Sequence, residues 1–270
     1  MKSRFTMLLA LAVFLVPMAV SAGQVVIKGS TTVLPIAQET AEAYMKENPD
    51  TRISLSGGGS GNGIKAIIDG TTDIGDSSRF IKDKEVKLAL ERGAYPVPFR
   101  VAYDCIVPVV HPSNNVLDLS LEQLKAIYMG QTKNWNEVGG PNKAIVVISR
   151  DTSSGTFEVW EDKVMKKERV FPGAQMMASN GAVAQAVSAN PHAIGYIGLG
   201  YMEDSVKPLT INGVEGSEST TLNGTFPISR PLFMFTRGWP EGETLDFINF
   251  VLQPDKGQKL VKKTGFVPLY

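Results

Sequence analysis

Thr31, Thr32, Ser60, Ser154 and Thr156 lie in three short Gly/Ser/Thr segments, each placed just before a stretch with the apolar spacing of an amphipathic helix. The segments are Gly29-Ser30-Thr31-Thr32, Gly57-Gly58-Gly59-Ser60-Gly61-Asn62-Gly63 and Ser153-Ser154-Gly155-Thr156. A helix start presents unpaired backbone N–H groups and the positive end of the macrodipole, so each junction is a potential anion cradle. The hydroxyls add donors, and the glycines let the backbone approach a ligand closely. Serine and threonine are also favoured at helix starts simply as caps, and one such loop would say no more than that. Three of them, with Arg79 following Asp73-Ile74-Gly75-Asp76-Ser77-Ser78 and Arg150 directly before the third loop, point to a shared site. An arginine fork matches an oxyanion and stays charged at any relevant pH. These residue types suit the capture of a small oxyanion without reaction.

The elements that must position these loops follow from local pattern. Gln24 to Lys28 reads as a strand, then a helix from about Val33 to Glu47 ends at Asn48-Pro49. Arg52 to Ser56 reads as a second strand, the second glycine loop opens a helix stopped by Gly70, and Thr72 to Gly75 reads as a third strand before a helix at Asp83 to Arg92. Strand, loop and helix in repetition imply an α/β fold with a parallel sheet, whose ligands lie at the carboxyl ends of the strands. The apolar runs Val101 to Val110 and Pro231 to Thr236 read as two strands that cross between lobes and form a hinge. The expected organisation is therefore a two-lobed chain: residues 23–105 with 231–270 as lobe I, and 106–230 as lobe II, with the ligand in the cleft between them. Helices are expected in lobe II near Ser120 to Tyr128, Gly155 to Lys167 and Gly181 to Ala189, with strands at Ile145 to Ser149 and Ala193 to Ile197. The tail from Glu243 to Lys263 reads as one amphipathic helix returning to lobe I.

Lys2 and Arg4 precede an apolar run from Met7 to Val20, and Val20-Ser21-Ala22 supplies the small residues of a cleavage site. Residues 1–22 are therefore expected to be a signal peptide cut after Ala22, and no cysteine follows to carry a lipid anchor. A soluble periplasmic protein is expected. Of the 270 residues, 43% are hydrophobic and 20% charged, which argues against disorder and coiled coil. A formal net charge of zero offers no basic excess for nucleic acid or an acidic membrane. Cys105 is the single cysteine and sits among Ile106, Val107, Val109 and Val110, as a buried small hydrophobe would.

A serine hydrolase or phosphatase is the enzymatic alternative that the Ser-rich loops raise. It needs a general base, and His111, before Pro112, and His192, after Pro191, are the only histidines. Gly63 is followed by Ile64 and Lys65, so the second loop lacks the ending of a nucleotide P-loop. No His/Cys set has metal-ligand spacing, and neither a metal nor another cofactor is expected. Trp135, Trp160 and Trp239 fall outside the three loops and read as packing residues.

Across essentially the whole chain after residue 22, the sequence resembles the phosphate-binding proteins of ABC phosphate importers. The resemblance is carried by Gly29-Ser30-Thr31-Thr32-Val33-Leu34-Pro35, by Ser56 through Ile64, by Asp73 through Arg79, and by Ser149-Arg150-Asp151-Thr152-Ser153-Ser154-Gly155-Thr156. Ile127-Tyr128-Met129-Gly130 leading into Asn134-Trp135-Asn136-Glu137-Val138-Gly139-Gly140, and the closing Thr264-Gly265-Phe266-Val267-Pro268-Leu269, add to it. It implies a two-lobed periplasmic receptor that closes on inorganic phosphate and delivers it to membrane permease subunits driven by a cytoplasmic ATPase, and a monomer is expected. Carried over residue by residue, the phosphate contacts fall on Thr31, Thr32, Ser60, Arg150, Ser154, Gly155 and Thr156, with Ser78 and Arg79 at the end of the third strand. Some relatives place an aspartate that accepts the ligand's proton where Ser78 stands. Serine both donates and accepts, so a weaker separation of phosphate from sulfate, molybdate or tungstate is expected. Thr152 likewise replaces the relatives' aspartate near the site arginine, with Asp151 adjacent. A sensing or scavenging role would use the same site.

Overall fold

The computed structural model describes residues 23–270, so the expected signal peptide lies outside the described residues. In chain order the strands are β1 (Gln24–Gly29), β2 (Arg52–Ser56), β3 (Ile74–Ser77), β4 (Val97–Val110), β5 (Asp118–Leu119), β6 (Val146–Arg150), β7 (Gln175–Met177), β8 (Ala193–Gly198), β9 (Lys207–Pro208), β10 (Thr210–Ile211) and β11 (Ser229–Thr236). The helices are α1 (Leu34–Glu47), α2 (Ser60–Asp69), α3 (Asp83–Glu91), α4 (Leu121–Tyr128), α5 (Gly155–Lys163), α6 (Asn180–Ser188), α7 (Glu218–Leu222), α8 (Gly242–Leu252) and α9 (Gly257–Lys263).

The principal sheet runs β2-β1-β3-β11-β4-β8-β6-β7, with β9 on β4. β2, β1 and β3 are parallel, as are β7, β6 and β8, and between these groups β11 and β4 run antiparallel to their neighbours. The expected parallel sheet is therefore mixed: parallel at both flanks, where helical crossovers join the strands, and antiparallel where the two crossing strands meet. β4 pairs with β11 from Val97 to Cys105 and with β8 from Ile106 to Val110, so one continuous strand serves both halves. Its first four residues are partly or fully exposed, and nearly every residue from Val101 onward is buried. That change marks its passage from an open stretch to one covered on both faces.

The buried apolar residues divide at the same place. Val25, Ile27, Ile36, Ile74, Val101, Leu232, Phe247 and Val261 belong to one core under α1, α8 and α9, with a smaller group of Ile64, Ile67, Phe233 and Phe235 under α2 and α3. Ile106, Val109, Leu124, Ile127, Trp135, Trp160, Val183 and Tyr196 belong to the other core. Trp160 stacks on Tyr196 with centroids 4.1 Å apart at 7°, and the Trp135 indole donates to the His192 carbonyl at 3.0 Å. Trp239 departs from the expected packing role: it is 71% exposed, with its ring centroid 5.8 Å from that of Phe99. Cys105 is buried as expected, and burial pushes its thiol up to about 12.

Two helices end earlier than their apolar pattern suggests. The tail forms α8 and α9 rather than one helix, because Pro254 follows Gln253 and supplies no N–H to continue the ladder. α5 stops at Lys163, and Lys166 and Lys167 then adopt φ of 52° and 69°, which no α-helix accommodates.

Candidate functional site

Because β1, β2 and β3 are parallel, their carboxyl ends bring the loops after Gly29, Ser56 and Ser77 to one edge. Because β6, β7 and β8 are parallel, they present the loops after Arg150, Met177 and Gly198 in the same way. The two edges meet face to face. Gly61 N donates to the Ser153 carbonyl at 3.0 Å, the Ser153 hydroxyl donates to the Gly58 carbonyl at 3.0 Å, and the Thr32 and Thr156 hydroxyls lie 3.0 Å apart.

The cap role and the site role are distributed among the hydroxyls. Ser154 caps α5, its oxygen accepting from Thr156 N and Phe157 N at 3.2 Å each. Ser60 opens α2 without capping it: its oxygen accepts from Ser78 N at 3.0 Å and lies 3.2 Å from the Ser78 hydroxyl. Thr31, Thr32 and Thr156 are buried and turn their hydroxyls toward one another's neighbours rather than toward helix N–H groups. Gly29 permits this crowding, since its φ of 140° is closed to most side chains and a Cβ there would lie 2.2 Å from the Asp76 carbonyl.

Arg150 is 1% exposed. Its Nε donates to the Met177 carbonyl at 3.0 Å, and one Nη donates to the Ala178 carbonyl at 3.1 Å and the Thr31 hydroxyl at 3.3 Å, while its other Nη has no partner. The adjacent Asp151 approaches only to 3.8 Å, its other oxygen being occupied by Ser153. Burial is the largest influence on Arg150 and pulls its pKa down, and Arg230 adds to that, while Tyr196 and Asp151 oppose it. A buried guanidinium that keeps a donor edge free of any close carboxylate is chemically suited to an oxyanion.

Three residues of the cluster escaped the sequence reading. Asn180, at the start of α6, donates from Nδ2 to the Thr32 and Thr31 hydroxyls at 3.0 and 3.3 Å. Arg230 on β11 donates to the Thr156 and Thr32 hydroxyls at 3.1 and 3.3 Å, and to the Ser78 carbonyl at 3.3 Å. Asp104 on β4 holds Arg230 through bonds of 2.7 and 2.9 Å and accepts from Leu199 N at 2.8 Å. For Arg230 and Asp104 the signal was a charged residue within an apolar crossing strand, which only a buried partner makes tolerable; Asn180 gave none. The site as a whole is rich in donors and poor in acceptors. Two buried arginines and an amide converge on hydroxyls that must in turn point their own protons elsewhere, and an anion's oxygens would receive them.

Arg79 is the expected site residue that does not join. Its guanidinium holds both Glu85 oxygens, at 2.7 and 2.8 Å, and its Nε lies 2.6 Å from Glu158. Paired with two carboxylates, it has little positive charge left for a ligand. Asp76 is buried in the middle of β3, with Oδ1 unpartnered, and burial holds its carboxyl well above the usual range. His111 bonds the nearby Ser113 hydroxyl and no site serine. Among the described residues no group of His, Cys, Asp and Glu could hold a metal ion, and no helix is long and apolar enough to cross a membrane.

Gly155 marks the closest approach between the two edges. A Cβ there would lie 2.4 Å from the Ser60 hydroxyl and 2.8 Å from that of Ser78. Gly155→Ala is expected to weaken ligand binding by at least tenfold in a titration. The melting temperature of the ligand-free protein should fall as well, because the Ser60 and Ser78 side chains must give way to the added methyl group.

Residues 17–255 match the PBP superfamily domain. Among curated proteins, the chain is 31% identical over 250 residues to the phosphate-binding protein PstS of Bacillus subtilis, covering 92% of this chain and 82% of that protein. It is 35% identical over 254 residues to PstS of Staphylococcus epidermidis, covering 89% and 77%. A proposed phosphate ABC transporter substrate-binding protein from Clostridium perfringens, solved with bound phosphate, superposes with a TM-score of 0.86 at 35% identity over 92% of this chain and all of that one. An ABC-type phosphate transport receptor from Vibrio cholerae superposes with a TM-score of 0.74 at 31% identity, over 90% and 99%. The two-lobed architecture, the donor-rich junction at the strand ends and these likenesses agree: the chain belongs to the PstS family of phosphate-binding proteins within the PBP superfamily.

Proposed function

We propose that this chain binds inorganic phosphate and passes it to the permease of an ABC phosphate importer. The observation that carries the proposal is the excess of buried donors around Arg150 and Arg230, a set suited to a tetrahedral anion. Thr31, Thr32, Ser60, Arg150, Ser154, Gly155 and Thr156 form the proposed contact set, extended by Ser78, Asn180 and Arg230. The α5 N-terminus adds backbone N–H groups and a favourable dipole. Each charge-assisted hydrogen bond contributes about 1.5–3 kcal/mol, so a few of them reach the roughly 8 kcal/mol of a micromolar constant.

In this proposal residues 23–105 with 231–270 move as one lobe and 106–230 as the other. The anion is met first by one set of loops and then enclosed by the second as β4 and β11 flex. The protein acts as a periplasmic monomer with permease subunits and their ATPase as partners. It performs no chemistry on its ligand: Ser60 and Ser78 have each other as side-chain partners, and Ser154 is engaged as a cap.

Titration calorimetry of protein stripped of ligand by unfolding and refolding tests the proposal. Tight binding of phosphate, with sulfate bound more weakly, is the expected result. Tight binding of sulfate or molybdate in its place would reassign the ligand, and silence toward every tetrahedral oxyanion would overturn the proposal.

A further inference from the structure

The charges that Arg79 gathers lie on both sides of the junction. Arg79, Lys82 and Glu85 belong to the β3–α3 segment, whereas Glu158 stands in the first turn of α5, directly after the proposed phosphate contacts Ser154, Gly155 and Thr156. Glu158 Oε2 lies 2.6 Å from Arg79 Nε and 2.5 Å from Lys82 Nζ, and Glu85 braces Arg79 from the other side with two bonds. Glu85 also accepts from Lys82 N at 2.9 Å, so the α3 start and the arginine are fixed as one unit. Arg79 is 7% exposed, and the side chain of Glu158 13%. The pair is therefore shielded from solvent enough for its attraction to survive ordinary salt, whereas Lys82, at 43%, is not.

We propose that Glu158, gripped by Arg79 and Lys82, is a positioning residue that latches α5 onto the opposite lobe and so sets how long the anion stays bound. It touches no ligand. The proposal rests on the phosphate-binding reading for its ligand but not for its geometry. α5 carries the third anion loop at its N-terminus, so whatever holds the first turn of α5 against Arg79 also holds Gly155 against Ser60 and Ser78. A contact made only when the two lobes meet stabilises the closed state alone, and its loss appears in dissociation rather than association. Removing Glu158 leaves Arg79 still paired with Glu85, so no buried charge is stranded and the fold is not expected to weaken.

The test compares the parent with Glu158→Gln and Glu158→Ala. Release of radiolabelled phosphate into an excess of unlabelled phosphate is expected to be at least tenfold faster in the variants, with association within about twofold and the ligand-free melting temperature within about 2 °C. In ligand-free protein, small-angle scattering should show a larger radius of gyration for the variants than for the parent. Unchanged release and scattering, or faster release accompanied by a matching loss of ligand-free stability, would overturn the latch. A parent that binds no phosphate would instead defeat the phosphate reading, and the ligand-free scattering would still decide on the latch.

Discussion

Replacing Arg150 by alanine is expected to weaken phosphate binding about a thousandfold, since two or more charge-assisted bonds of about 1.5–3 kcal/mol each are lost together. The guanidinium is buried, it already orders the Thr31 hydroxyl and the carbonyls of Met177 and Ala178, and one of its Nη atoms is free to meet an oxyanion. Lysine at this position would keep the charge but lose the planar fork, so Arg150→Lys should fall between parent and alanine variant. Arg92 provides the control. It pairs with Asp69 at the surface with its side chain half exposed, and Arg92→Ala should leave the titration unchanged. Equal effects at the two positions, measured by calorimetry, would remove Arg150 from the site.

Asp104→Ala is expected to lower the stability of the whole molecule by about 3–5 kcal/mol, the loss found when one partner of a buried ion pair is removed. For a chain of this size that corresponds to a fall in melting temperature of roughly 10 °C. Asp104 is fully buried and takes two of Arg230's donors and the Leu199 N–H, so its removal strands a cation between two crossing strands. Phosphate binding should weaken as well, because Arg230 also orders the Thr32 and Thr156 hydroxyls. Asp104→Asn keeps the shape and one acceptor, and should lose less stability than alanine. Thermal unfolding of the ligand-free proteins separates these outcomes, and an unchanged melting temperature for Asp104→Ala would contradict the ion pair's role.

Local pattern carried much of the architecture. β1, β2, α1 and the two crossing strands stand close to where local pattern puts them, since apolar spacing and the Gly, Pro or Asn residues that bound such elements depend on neighbours in sequence alone. The short strands β5, β9 and β10 were not foreseen, because two-residue pairings have no periodicity to read and depend on partners far along the chain. The three hydroxyl loops were legible for the same local reason. Arg230 and Asp104 were not read as a pair because their attraction is set by the register of β4 on β11, which no spacing along the chain reveals. The partners of Arg79 were hidden for a related reason: Glu158, distant in sequence, arrives beside it only in the assembled fold.

The place of β11 between β3 and β4 bears on how the chain comes to be folded at all. Its residues, Ser229–Thr236, are made long after both of its neighbours, and α8 and α9 come later still. Until β11 emerges, β3 and β4 each present an unpaired edge, and the core that Leu232, Met234, Phe247 and Val261 complete cannot close. The half of the molecule begun first during synthesis is thus the last to be finished, with contacts of high sequence separation and the slow assembly that such topology brings. The half built on Ile106 to Ile228 has its own core and can close before β11 is made, whereas the half begun first must wait for it.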